Sequence, residues 1–311
     1  MDEIITIQPS CKLVEKDIFI NNDVLLQNFI KYLQVSEKTA CTYISRLKQF
    51  FKWLEKNNIC EPNYLDLLNY KEYLEKNFKP TTTQISIISI KNFFSYLEFM
   101  GLYKDIAKGR IFKSLKISKE HKKEALAKDQ LDNLFNIIDT STEKGKRDIA
   151  IIKLAYVTGL RVSEIANIKI TDIENKGDFT IVRVLRKGRN EKSKKVIPPR
   201  TYGIICEYLK AKEPTEYLFT SISNHDKGKK LTARSLNRII KEYFKKIGLN
   251  NERFTFHSLR HTTATQSLLK GNTLQETMEL MGHRSIDTTL IYSHNINELN
   301  NKATYILDED I

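Results

Sequence analysis

FTIVRVLRKGRNEKSKKVIPP, residues 179 to 199, is the stretch in which an otherwise helical pattern gives way to β-branched runs. Gly188 and Asn190 supply a turn between two strands, and Pro198 and Pro199 stop the second. The fold this predicts is mainly α with a small antiparallel β-sheet. The ribbon carries Arg183, Arg186, Lys187, Arg189, Lys192, Lys194 and Lys195 against one acid, Glu191. Such a charge suits either a solvated turn or an element that enters a nucleic-acid groove. A lysine at its tip is also a mobile proton donor once a phosphate and other cations adjust its pKa.

Helical spacing surrounds this ribbon. Upstream, DVLLQNFIKYLQ, the Ser36-capped segment with Tyr43, Leu47, Phe50, Phe51 and Leu54, YLDLLNYKEYLEKN, and TTTQISIISIKNFFSYLEFMG read as four amphipathic helices over residues 20–103. Residues 104–123 are rich in Lys and Arg without a lasting apolar stripe, the pattern of a basic linker. Helical spacing resumes at 124 and returns after the ribbon at 201–212, 232–247, 258–270, 273–280 and 285–293. The resulting organisation is an N-terminal extension (1–19), a helical domain (20–103), the linker (104–123), an α+β domain (124–295) and a tail (296–311). In the tail, Ile296, Leu299 and Ala303 share a helical face, expected to dock on a neighbouring protomer.

Composition narrows the partners. Fifty-one Lys and Arg against 38 Asp and Glu give a net charge of +13, which favours a polyanion, and nucleic acid first. No basic amphipathic helix with a clean apolar face argues for a membrane surface, and no apolar run reaches the length of a span. The acidic start MDEIITIQPSCKLVEKD is unlike a signal peptide, so the expected location is the cytoplasm, at the nucleoid. Cys11, Cys41, Cys60 and Cys206 are widely spaced and read as reduced packing thiols. His257 and His261 stand four apart but lack the acids a zinc site of that spacing needs, so no metal and no cofactor is expected.

Three further segments carry groups suited to a phosphate. In TGLRVSEI, Gly159 ends one helix and Arg161 opens the next, with Glu164 placed to orient it. A surface ion pair is the plain alternative. In FHSLRHTTAT, His257 and Arg260 share a helical face, so imidazole and guanidinium reach a common group unless both merely satisfy the core. In GHRSIDTTLIYSH, His283 follows a glycine, Ser285 is a cap, and Tyr292 sits on a short helix where an isolated tyrosine would ordinarily be packing.

In that order, Arg161, a hairpin lysine, His257 with Arg260 as H-x-x-R, His283 in MGH and Tyr292 nine residues later resemble the tyrosine recombinase family of phage-type integrases and Xer-like recombinases. Residues 20–103 resemble that family's helical, SAM-like core-binding domain. The resemblance implies that Arg161 and Arg260 hold a scissile phosphate and that Tyr292 attacks it, forming a 3′-phosphotyrosyl bond and freeing a 5′-hydroxyl. It places His257 on the base side and Lys187 as general acid. His283 it sets beside the phosphate or the nucleophile, with Glu164 steadying the site from behind. Two guanidiniums offset the charge gained by the phosphate without a metal. The family's turn usually reads G-K-G. Here it reads RKG and the stretch to VIPP is longer, so Lys192, Lys194 and Lys195 rival Lys187.

The implied activity is site-specific recombination on double-stranded DNA, in integration or excision of a mobile element or in Xer-like resolution. The implied assembly is a homotetramer of two-domain protomers, with room for an accessory excision or activating factor. A type IB topoisomerase shares the residue set but relaxes DNA. A non-catalytic sequence-specific DNA-binding protein would need only the charge and the helices.

Overall fold

The computed structural model describes residues 19, 23–108, 112, 124–186, 191–283, 285, 286, 288–290 and 292. It divides into two compact units, 1–119 and 120–311.

The first unit holds α1 (Asp23–Leu33), α2 (Glu37–Lys56), α3 (Tyr64–Asn77) and α4 (Pro80–Phe99). Ser36 caps α2 by accepting from the Thr39 amide, and Asn63 caps α3 in a reciprocal pair with Asp66. The fourth helix begins one residue before the threonines at its predicted start, on Pro80, whose fixed φ suits a first helical position. The apolar faces of α2 and α4 meet in an aromatic core in which Phe29, Phe50, Phe93 and Phe94 are fully buried. Each such ring contributes about 1.5–3 kcal/mol through burial alone. Ala107 and Phe112, from the stretch expected to be linker, are buried in this core as well.

The second unit is built around α6 (Glu143–Thr158), whose run Ile149–Ile152 is buried almost throughout. Against it pack α7 (Val162–Ala166), α8 (Pro199–Lys210) and α10 (Phe256–Leu269), with α9 (Ala233–Lys246) on α7 and α10 and α11 (Leu274–Met281) on α10; α5 (Lys128–Asn136) adds Leu131 and Leu134 to the same core. A three-stranded antiparallel sheet, β1 (Ile173–Asn175), β2 (Thr180–Leu185) and β3 (Lys192–Ile197), covers one side. The two paired strands are those the sequence predicts, with Pro198 at the cap of α8 and Pro199 as its first residue, and the turn expected on Gly188 and Asn190 lies outside the described residues. Strand β1 is an addition that three residues give no periodicity to announce. The fold is thus mainly α with a small antiparallel sheet, and among the described residues no helix is long and apolar enough to cross a membrane.

Candidate active site

Two helix ends set the geometry. The helices α6 and α11 both finish on a glycine in the left-handed conformation, Gly159 at φ 60° and Gly282 at φ 60°. Both reversals resist a side chain. A Cβ on Gly159 would stand 2.8 Å from the Met281 Sδ, and one on Gly282 would fall inside the Arg186 guanidinium. The two ends therefore lie against each other, each exposing last-turn carbonyls at the negative end of its helix dipole.

Arg260, on α10, spans them. Its Nη1 donates to the Gly159 carbonyl and its Nη2 to the Met281 carbonyl at 2.7 Å. Helix α10 is held in place by its threonines: the Thr263 hydroxyl donates to the Tyr156 carbonyl of α6 at 2.6 Å, and the Thr262 hydroxyl accepts from the Leu126 amide at 2.8 Å. Arg260 is 3% exposed, and burial together with the neighbouring Arg161 lowers its pKa to about 10. Only three of its five N–H groups remain after the two carbonyls are served, enough for a phosphate.

Arg161 caps α7 and is gripped twice by one buried carboxylate. Its amide donates to Glu164 Oε2 at 2.8 Å and its Nη1 to Oε1 at 3.0 Å. Its side chain is 38% exposed, so the guanidinium is fixed yet open to solvent. With His257, which is exposed on the first turn of α10, and Arg260 it lines a pocket of about 300 Å³.

Tyr292 is 5% exposed and packs with Ala264 and Met281. Its ring lies parallel to that of His283 at 6.4 Å and beside that of His261 at 5.3 Å, and His261 in turn meets His257 edge-on at 4.6 Å. The Nδ1 of His283 shares a hydrogen bond of 2.9 Å with the Thr289 hydroxyl, which turns Nε2 to any chemistry on this ring. Burial pushes the Tyr292 phenol up to about 12, and the fields of Arg260 and Arg161 work in the opposite direction. At pH 7 about 10⁻⁵ of it is ionised, so attack by its oxygen requires proton removal during the step.

Arg161, Glu164, His257, Arg260, His283 and Tyr292 thus come together, while Lys187 lies outside the described residues, as does the tail expected to dock in trans. Of the rival lysines, Lys192 is ion-paired with Asp172, Lys194 is exposed, and Lys195 faces inward with its Nζ on the Glu279 and Leu280 carbonyls. Among the described residues, no cluster of three or more metal-ligating side chains forms. The spacing of His261 from His257 suggests a metal ligand in the sequence; the same four-residue spacing puts both rings on one helical face, where they meet edge-on.

A second feature escaped that reading. Arg234, Arg238, Lys241 and Lys245 recur at helical spacing along α9 and line an open groove of about 590 Å³. Asn237 lines both this groove and the Arg161 pocket, so the basic face leads into the cluster.

Comparison with known proteins bears on the family and the fold. Residues 124–298 match the phage integrase family and residues 26–99 the phage integrase N-terminal SAM-like domain. The tyrosine recombinase XerA of Pyrococcus horikoshii is 32% identical over 283 residues, covering 90% of this chain and 91% of that protein. In fold, the chain is similar to the XerH site-specific recombinase bound to palindromic difH in a post-cleavage complex, with TM-score 0.74, 20% identity and coverage of 92% of this chain and 84% of that one. It is likewise similar to a lambda integrase tetramer bound to a Holliday junction, with TM-score 0.66, 18% identity and coverage of 87% and 76%. The chain belongs to the phage integrase family. Within it, the full-length similarity runs to Xer-type tyrosine recombinases, enzymes of DNA cleavage and rejoining.

Proposed function

We propose that this chain cuts and rejoins double-stranded DNA at specific sites, with Tyr292 as nucleophile. The observation that carries the reading is the placement of a buried tyrosine within the fields of two fixed arginines, Arg161 and Arg260, and beside His283. In the reaction, the Tyr292 oxygen bonds to phosphorus and the 5′-oxygen departs, so a 3′-phosphotyrosyl bond replaces the phosphodiester. Arg161 and Arg260 hold the non-bridging oxygens, with Glu164 fixing Arg161. His257 serves the base side, His283 steadies phosphate and nucleophile, and Lys187 protonates the leaving 5′-oxygen. Because the tyrosyl ester retains the energy of the broken bond, a second 5′-hydroxyl can reverse the step onto a new strand.

The basic face of α9 supplies a DNA-binding surface leading to that chemistry. Arg238→Ala with Lys241→Ala is expected to weaken DNA binding and flatten the slope of log K against log salt by about 2, read by titration at several salt concentrations. Exchange between two sites needs two protomers on each, so the proposed working species is a homotetramer on DNA, acting in the cytoplasm. An accessory factor that biases integration or excision would act on that assembly.

The test is a nicked suicide duplex bearing the recombination site, chosen from genomic fragments by binding. A covalent, protease-sensitive adduct is expected. No adduct on the authentic site would overturn the reading, and relaxation of any supercoiled plasmid without joining of two sites would replace recombination with a topoisomerase activity.

A further inference from the structure

The β2–β3 register pairs Lys195 with Val182 and places it two residues before Ile197, on the face where Val182, Val184 and Ile197 are buried. Arg186, two residues beyond Val184, keeps that parity and is 9% exposed. Cations that only offer charge to a DNA backbone belong on the outer face, where Lys194 stands beside Arg183, itself ion-paired with Glu174. Inward cations require a polar partner to offset lost hydration.

That partner is the last turn of α11. Lys195 Nζ donates to the Glu279 carbonyl at 2.7 Å and to the Leu280 carbonyl, and Arg260 takes the next one, Met281. The Arg186 guanidinium fills the space a side chain at Gly282 would need. Three successive carbonyls at the negative end of a helix dipole thus meet cations, and the residue that follows the turn is His283. Burial and the fields of Arg186 and Arg260 lower the Lys195 pKa to about 8, as expected of an ammonium enclosed among other cations.

We propose that Arg186 and Lys195 are positioning residues for cleavage, locking the end of α11 so that His283 and Arg260 stand at fixed places beside Tyr292. Lys195 is then not the proton donor, although its depressed pKa would suit one. The assignment also gives a role to the unusual turn: the RKG sequence puts an arginine where this family usually has glycine, and that arginine is the one seated on Gly282.

This inference rests on the recombinase reading, and its test separates the two. Cleavage by Lys195→Ala is measured in single turnover on a normal suicide duplex and on one with a 5′-bridging phosphorothioate, whose sulfur departs without needing a proton. The expected result is a loss of about 10–100-fold on both substrates, largely restored in Lys195→Arg. Combining Lys195→Ala with His283→Ala should cost less than the product of the single losses, since one acts through the other. Rescue of Lys195→Ala by the sulfur leaving group would make Lys195 the general acid and overturn the proposal. A native rate, or fully multiplicative losses, would overturn it too.

A readout without DNA covers failure of the recombinase reading itself. The Gly282 and His283 amides donate to the Glu279 and Met278 carbonyls, both at 3.1 Å, and their hydrogen exchange should speed up in Lys195→Ala and in Arg186→Gly. Unchanged protection in both variants would sink the lock even if the native chain forms no adduct. Should Lys195→Ala not fold, Lys195→Gln, which keeps a donor but no charge, runs the same comparisons.

Discussion

Tyr292→Phe is expected to bind recombination-site DNA as tightly as the native chain and to form no covalent adduct with it, a loss limited only by the detection of the assay. The substitution removes one oxygen from a ring whose packing against His261 and His283 is otherwise preserved. An adduct of native amount in this variant, on denaturing gels after incubation with a suicide duplex, would transfer the nucleophile elsewhere. The same burial has a signature without DNA. A phenol held at about 12 keeps its proton in the fold after the unfolded chain has released it near 10, so Tyr292 costs the native protein stability as pH rises from 10 towards 12. Below pH 10 this term is absent. Tyr292→Phe should therefore close on or overtake the native chain in alkaline unfolding experiments by on the order of 2 kcal/mol.

Arg260→Ala should fail twice. In cleavage it removes a guanidinium aimed at the developing phosphate charge, a loss of about 10²–10³-fold in single-turnover rate. In the fold it takes the guanidinium donor from the carbonyls of Gly159 and Met281, at about 1–3 kcal/mol for each carbonyl left unpaired. At roughly 2–4 °C per kcal/mol for a domain of this size, the melting temperature should drop visibly while the protein stays folded at room temperature. Arg260→Lys separates the parts. One ammonium cannot span two helix ends and a phosphate, so neither rate nor melting temperature should return fully. Full recovery of both with lysine would show that charge alone matters at this position.

The layout of the chain was legible where apolar residues recur: four upstream helices, the two strands of the ribbon, and α8 to α11 after it follow from spacing, with Ser36 marking a true cap, while the helix expected at 285–293 lies partly outside the described residues. Helix α10 begins at Phe256 rather than 258 because the Ser258 hydroxyl accepts from the Thr255 amide and extends the turn upstream. Side chains now gathered beside Tyr292 were named from order along the chain. What held them was not legible. The partners of Arg260 and Lys195 are main-chain carbonyls, which every residue possesses and which leave no mark in a sequence. Arg186 and Lys195 were readable in principle, since strand parity with Val184 and Ile197 turns them inward. In a run of seven basic residues, that parity was masked by charge.

The paired glycine-ended helices have an evolutionary consequence. An anchor made of backbone carbonyls cannot be deleted by point substitution, so the seat of Arg260 persists whatever exposed side chains drift through the last turns of α6 and α11. What the chain demands there is glycine at 159 and 282, for the left-handed backbone at φ 60°, and the buried Thr158 and Met281 that pack the two ends. Exchange of an exposed side chain in those turns therefore leaves the seat of Arg260 in place, and the reactive centre keeps its register.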